Sequence, residues 1–208
     1  GPTSAGTVDW WADSAPVMRG TADALKMLGG KDIEPFLWEG HPGQSQTCMF
    51  YSVPAAFWQG ANKSQDDNYE KQLLYCMLAQ QQIPADVIDT TDLSKWIKQY
   101  KVAYLEDLNI PRAQAAHLLQ WVNDGGVLAL WPKAGTLDES NEPLDVFPAA
   151  AGTTAVGNGQ IVRFKDRLAG KWWERMVELN KDKTFRPDLV DTKLLAEVAA
   201  PALELAKL

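Results

Sequence analysis

Two pairs of adjacent carboxylates stand where this chain is best placed to do chemistry. Glu106-Asp107 directly follow the apolar run Val102–Leu105, and Asp138-Glu139, with Asn141 and Glu142, follow the next apolar run, Val127–Trp131. Short apolar runs bounded by turn residues read as buried strands, and open α/β sheets bind ligands outside the carboxyl ends of their strands. Carboxylates at such an edge have three uses. They solvate a loop or cap a helix, they hydrogen-bond a ligand or a neighbouring subunit, or they act as acid and base in glycoside hydrolysis. Trp58 and Trp131 add aromatic rings to the same edge, to stack on sugar rings, to meet a partner, or to be buried against the C-terminal segment. The residue types alone leave these alternatives open. Glu106 and Asp138 are the carboxylates a hydrolase would use.

Other reactive constellations are missing. Cys48 falls inside a predicted strand and Cys76 on the predicted inward stripe of a helix, so both read as buried free thiols. His41 lies in a Gly/Pro-rich turn, and His117 lies beside an apolar helical face, as a partly buried, hydrogen-bonded ring. A metal site wants at least three converging His, Cys or carboxylate groups, and no such spacing occurs, so neither metal nor cofactor is expected. Gly157-Asn158-Gly159 reads as a turn, because a strand-like run follows where a phosphate loop needs a helix.

The elements that must position these residues follow an α/β rhythm. The strand Thr47–Ser52 is followed by Pro54–Asp67, read as a long, largely polar loop holding Phe57, Trp58, Asn62 and Lys63. Next come a helix over Asn68–Gln82 with Tyr69, Leu73, Cys76, Met77 and Gln80 inward, a short strand Asp86–Asp89, a helical turn Leu93–Gln99 capped by Thr91 or Asp92, and the strand Val102–Leu105. Pro111 opens a helix to Asn123, with Ala115, Leu118, Leu119 and Val122 inward and Gly125 as its left-handed cap. After the strand Val127–Trp131 the pattern predicts a hairpin about Gly157-Asn158-Gly159 and helices over Leu168–Leu179 and Leu189–Leu205, the last kinked or ended at Pro201. The expected fold is α/β, a flavodoxin-like three-layer sandwich with a mostly parallel central sheet. The expected division is a lead-in over residues 1–44, holding a helix at Ala15–Leu28, an α/β domain over 45–165 and a helical extension over 166–208.

Composition narrows the partners. A net charge of −7 over 208 residues provides no basic footprint for nucleic acid or an anionic membrane. No apolar run approaches the ~18 residues that span a bilayer. The opening Gly1-Pro2 and the small residues after it read as a cloning remnant, which predicts an excised piece. Nine tryptophans are spread along the chain without a repeat, mostly to fill the core or seal contacts between segments.

The run ADVIDTTDLSKWIKQYKVAYLEDLNIPRAQAAHLLQWVNDGGVLAL, residues 85–130, resembles the glutamine-amidotransferase-like domain of large bacterial glycoside hydrolases, called the trimerisation domain in β-galactosidases of that kind. Asp86-Val87, Tyr100-Lys101-Val102, the proline-started helix, Trp121-Val122, Gly125-Gly126-Val127-Leu128 and the acidic Asp138-Glu139 after Ala134-Gly135 occur in the family's order, and TCMFYSVPAAFWQ resembles its first strand and aromatic-rich loop. The resemblance covers Thr47 to Phe147. It implies a flavodoxin-like fold and an origin in a larger secreted or periplasmic protein that acts on polysaccharide. Within that protein it implies contacts to other domains or subunits, with the active site in another domain. Amidotransferase activity itself is not implied. The nucleophile elbow of true class I amidotransferases would fall at Trp131-Pro132-Lys133-Ala134-Gly135, where there is no cysteine. The expected role is a non-catalytic accessory domain for oligomerisation or interdomain contacts. The alternatives are a carbohydrate-binding module using Trp58, Trp131 and the acidic loops, and a hydrolase using Glu106 or Asp138.

Overall fold

The computed structural model describes residues 15–29, 44–61, 66–179 and 191–207. The readings at His41, Glu34–Trp38, Asn62, Lys63 and Leu189 lie outside them, as do Trp10 and Trp11. The chain forms two compact units, Gly1–Gln44 and Ser45–Leu208. In the first, helix α1 spans Ala15–Leu28, as the sequence predicts.

The second unit is built on a six-stranded sheet. Its strands are β1 (Thr47–Tyr51), β2 (Ala85–Asp89), β3 (Val102–Leu105), β4 (Val127–Leu130), β5 (Gly152–Val156) and β6 (Gly159–Arg163), in the order β2-β1-β3-β4-β6-β5. All neighbours are parallel except β5 and β6, the antiparallel hairpin read from Gly157-Asn158-Gly159. This is the flavodoxin-like order, with β6 in the fifth place and β5 added outside it. Every residue of β3 and β4 is buried, as a strand covered on both faces requires. Helices α3 (Asp66–Gln80), α6 (Leu168–Leu179) and α7 (Thr192–Ala200) pack on one another, and α4 (Leu93–Trp96) packs on α5 (Arg112–Asn123). These two groups of helices cover the sheet. Tyr104, at the centre of β3, ties α7 down by donating its hydroxyl to the Val198 carbonyl at 2.8 Å, and burial pushes that phenol upward from its ordinary range.

Several local readings change. Pro54–Ala61 is no loop: α2 spans Val53–Ala61. Proline fits the first turn of a helix, where its missing N–H costs nothing, and the Ser52 hydroxyl accepts from Ala55 N–H at 3.4 Å as a cap. On α3 the inward face is Glu70, Lys71, Leu73, Leu74, Met77 and Leu78, whereas Tyr69, Cys76 and Gln80 are exposed. Cys76 is therefore an exposed thiol. Cys48 is buried and free, and desolvation, with Asp86 adding to it, holds its pKa well above the ordinary thiol range. His117 is exposed, and its ring nitrogen meets Gln114 Oε1 at 3.3 Å along its own helix. The cap of the turn at residue 90 is Asp89, whose carboxylate accepts from Thr91 N–H at 2.7 Å. The last helix ends in a wider π-turn, Pro201–Leu205, because Pro201 cannot donate to the α-helical ladder.

Helix α5 ends as expected: Gly125, at φ +123°, sends its N–H back to Val122 O at 2.9 Å, and Gly126 sends its own to Trp121 O at 3.1 Å. The hairpin then packs backbone to backbone on this end. A methyl group at Gly159 would run into the carbonyl oxygens of Val122 and Gly126, whereas one at Gly60, in α2, meets nothing. Gly159→Ala is expected to destabilise the unit by about 2 kcal/mol or more through overpacking. Gly60→Ala should be neutral or stabilising by up to ~1 kcal/mol. Urea unfolding of both variants checks the pair, and equal midpoints would refute the close approach.

Candidate functional site

The topological switch point lies between β1 and β3, whose chain connections leave in opposite directions. In this chain that point is occupied by its own charges. Lys71, on α3, places Nζ 2.5 Å from the Asp107 carboxylate, and both side chains are buried. The other oxygen of Asp107 accepts from Ser52 N–H at 2.8 Å, which fastens the end of β3 to the end of β1. A lysine and an aspartate enter such a site only as a pair, because the desolvation of one charge is offset by the other. Tyr51 lies beneath the ammonium, its ring centroid 5.1 Å from Nζ.

Glu70, one residue earlier on α3, plugs a second position. Its Oε1 accepts from Trp131 Nε1 at 2.9 Å and Ala169 N–H at 3.0 Å, and its Oε2 accepts from Gly170 N–H at 3.0 Å. Arg167 adds a contact at 3.4 Å. The amino end of a helix attracts anions through its free N–H groups and its dipole. At α6 the anion is the protein's own carboxylate. A side chain on Gly170 would crowd Glu70 Oε2 at 2.9 Å.

Behind β4, Arg163 fixes the backbone that carries Trp131. Its guanidinium donates to the carbonyls of Trp131, Pro132 and Ala134 at 3.0, 3.1 and 3.1 Å and to Pro148 O at 2.6 Å. The side chain is buried, and desolvation lowers its pKa from the usual arginine value.

The carboxylates and tryptophans singled out in the sequence fall into two groups. Glu106 and Trp131 line one pocket of about 330 Å³ at the ends of β3 and β4, together with Leu108, Pro132, Lys133 and Arg167. Trp58, Asp138 and Glu139 form the second group. Trp58 donates from its ring nitrogen to the Glu139 carbonyl at 3.1 Å, and the Glu139 carboxylate accepts from Arg112 N–H at 2.7 Å, capping α5 from outside. Asp138 accepts from Ser140 and Glu142 N–H, both at 2.9 Å, and pairs with Arg112 at 2.7 Å. The Glu142 N–H and then Arg112 hold its carboxyl below the usual range. Asn109 links the second group to the end of β1: its amide donates to Asp138 O at 3.0 Å and Asn141 Oδ1 at 3.1 Å, and its carbonyl accepts from Ser52 Oγ at 2.6 Å.

Three of these residues are not the surface the sequence reading gave them. Trp131 is 2% exposed, so its ring is no open stacking platform. Asp107 is fully buried under Lys71, and Asp138 is buried as the hub of its loop. Sequence reading also missed Glu70, Lys71, Arg163 and Arg167, which hold this edge together. Charge on a helix normally predicts exposure, and the available signal was that Glu70 and Lys71 stand four and three positions before Leu74, on the stripe that continues through Met77 and Leu78. Among the described residues no group of three metal-ligating side chains occurs. No helix among them is long and apolar enough to cross a membrane.

Fold and strand order define a flavodoxin-like α/β domain with a strand-end edge closed by internal ion pairs. No protein-family model matches the chain, and no curated protein matches it. Among solved structures it is similar to Gan42B, a GH42 β-galactosidase from G. stearothermophilus, with a TM-score of 0.55 and 15% identity over 86% of this chain and 35% of that one. It is similar as well to the exo-β-1,4-mannosidase Op5Man5 from Opitutaceae bacterium strain TAV5, with a TM-score of 0.52 and 9% identity over 88% of this chain and 38% of that one. A third is the exo-carrageenase GH42 from Bacteroides ovatus, at 0.51 and 14% over 80% and 21%. At these identities the likeness is one of fold, and this chain spans little more than a third of the length of the first two.

Lys71→Met is expected to destabilise the unit by about 3–5 kcal/mol, because it leaves Asp107 buried without its cation. Combining it with Asp107→Asn should recover part of that loss, a coupling of about 1–3 kcal/mol measured by urea unfolding of the cycle. Additive losses would mean that the pair is not coupled. Asp138 sets a pH dependence. Because its folded pKa is depressed, its contribution is present above the unfolded carboxylate range near pH 3.9 and is lost as pH falls through the folded value. Thermal melts of Asp138→Asn should therefore show a shallower fall in stability on the acid side than the parent chain.

Proposed function

We propose that this chain is an accessory α/β domain of a larger glycoside-hydrolase-related protein, that it makes subunit or interdomain contacts, and that it carries no catalysis of its own. The observation that carries this reading is the closed strand-end edge. Where open α/β folds bind substrate, Lys71–Asp107 and Glu70 fill the space from within. A β-galactosidase and a mannosidase share the fold over most of this chain and only about a third of their own lengths, which supports a part played inside a longer protein. The reading of a hydrolase using Glu106 or Asp138 loses support at Asp138, which is spent on Arg112 and two backbone N–H groups. A carbohydrate platform using Trp131 loses support through that ring's burial.

Contacts need an apolar surface, and aromatic rings stand out on this unit. Phe57 is 67% exposed beside Trp58, their rings edge to face at 5.5 Å, and exposed Tyr69 meets exposed Trp173 in the same manner at 5.9 Å. Light scattering across a concentration series is expected to give a stable oligomer that Phe57→Ser or Trp173→Ser weakens. A monomer at every concentration would remove self-assembly and leave contact with a partner domain. Steady hydrolysis of a chromogenic galactoside that Glu106→Gln abolishes would overturn the non-catalytic reading.

A further inference from the structure

Strand β5 ends the sheet on one side, and its outer edge is bare. Gln160 and, one residue past β6, Phe164 donate their N–H groups towards β4, to Gly126 O at 3.1 Å and Leu130 O at 2.8 Å. The odd-numbered residues of β6 therefore turn to β5, where Gly152, Thr154 and Val156 stand opposite them. Thr153 and Ala155 are left with N–H and C=O groups that point away from the sheet, and both residues are exposed. The opposite edge, β2, carries Asp86 and Asp89, charges of the kind that blunt an edge. Strand β5 reads GTTAV, with neither a charge nor a proline. A groove of about 420 Å³ adjoins it, with Thr153, Val162, Phe164 and Pro201 in its lining and Glu197 and Glu204 contributed by α7 and the turn after it. We propose that β5 accepts an extended basic segment of a partner protein as an added antiparallel strand, with main-chain bonds to Thr153 and Ala155 and alternate lysine or arginine side chains on Glu197 and Glu204.

In strand addition the main chain supplies affinity and the alternate side chains supply specificity. Thr153 and its partner Val162 both line the groove, so they share the sheet face that looks into it. Residues directly opposite in an antiparallel pair also share a face. The incoming residues that bond Thr153 and Ala155 are therefore the ones whose side chains enter the groove. Glu197 and Glu204 are exposed and make no hydrogen bond or ion pair among the described residues. Lys165 is the lining's exposed cation, and Arg163 turns its donors to four backbone carbonyls instead. Val162 and Phe164 receive the methylene stems of long basic side chains. A second copy of this chain is the weaker candidate. Two β5 strands paired antiparallel would set both Glu197–Glu204 walls on one face, and GTTAV brings no cation to either. The proposal stands whether or not the chain assembles through Phe57 or Trp173.

Fluorescence anisotropy of the labelled, end-blocked peptide Lys-Val-Lys-Val-Lys-Val, titrated with the whole chain, tests this. The peptide is expected to bind about tenfold or more tightly than Glu-Val-Glu-Val-Glu-Val, which has the same pattern and the opposite charge. N-methylation at its lysines should abolish binding, whereas N-methylation at its valines should leave it, because only the lysine N–H groups face β5. Replacing both exposed carboxylates, Glu197→Gln with Glu204→Gln, should weaken the peptide about tenfold without lowering the melting temperature. Ala155→Pro removes an outward N–H that the β6 ladder does not use, so the variant is expected to fold and to bind about fivefold or more weakly. Equal affinity of the two charge patterns, equal affinity of the two methylated peptides, or no binding at all would each overturn the proposal. A dimer of the chain alone that Ala155→Pro dissolves would put a second copy on this edge and overturn it as well.

Discussion

The carboxylate of Glu70 joins three elements of the fold. It starts on α3, receives the indole N–H of Trp131 at the end of β4, and terminates the amino end of α6. Residues a hundred positions apart are thereby held through one buried group. Low polarity around it makes each of these bonds strong and makes any unmade bond costly. The position of Trp131, the shape of the pocket beside it and the docking of α6 all follow from that one anion.

Lys71 and Asp107 extend the same logic towards β1. The α/β sheet still offers the geometry of a ligand crevice at its switch point, but the chain has used that geometry for cohesion. Ser52 and Asn109 then carry the order outward to the loop of Asp138, whose carboxylate gathers Arg112 and two backbone N–H groups. The edge is thus a continuous polar network in which most members are spoken for, and the pocket at Glu106 and Lys133 is its margin.

The sheet was largely legible in the sequence, because β3, β4 and α5 obey simple periods: four buried residues in a row, or apolar residues on one helical face with a proline at the start and glycines at the end. The hairpin was legible through its turn. Failures came where tertiary pairing overrides residue type. Pro54 concealed a helix because proline in a first turn and proline in a loop look alike along the chain. Glu70 and Lys71 concealed themselves because charge predicts exposure, and only the partners, Trp131 and Asp107, distant in sequence, reverse it. Placing Glu106 and Asp107 at a strand end was within reach of the sequence. That one lines a pocket while the other lies under a lysine was not, since alternate side chains of an extended chain point to opposite sides.

Arg163 serves the edge in a further respect. A guanidinium carries five donors in a fixed planar fork and no acceptor, so one side chain can hold several carbonyls at once. The clamp therefore fixes the carbonyls of Trp131, Pro132, Ala134 and Pro148 relative to one another. The segment after β4 and the segment that leads into the β5–β6 hairpin are thus joined through one side chain.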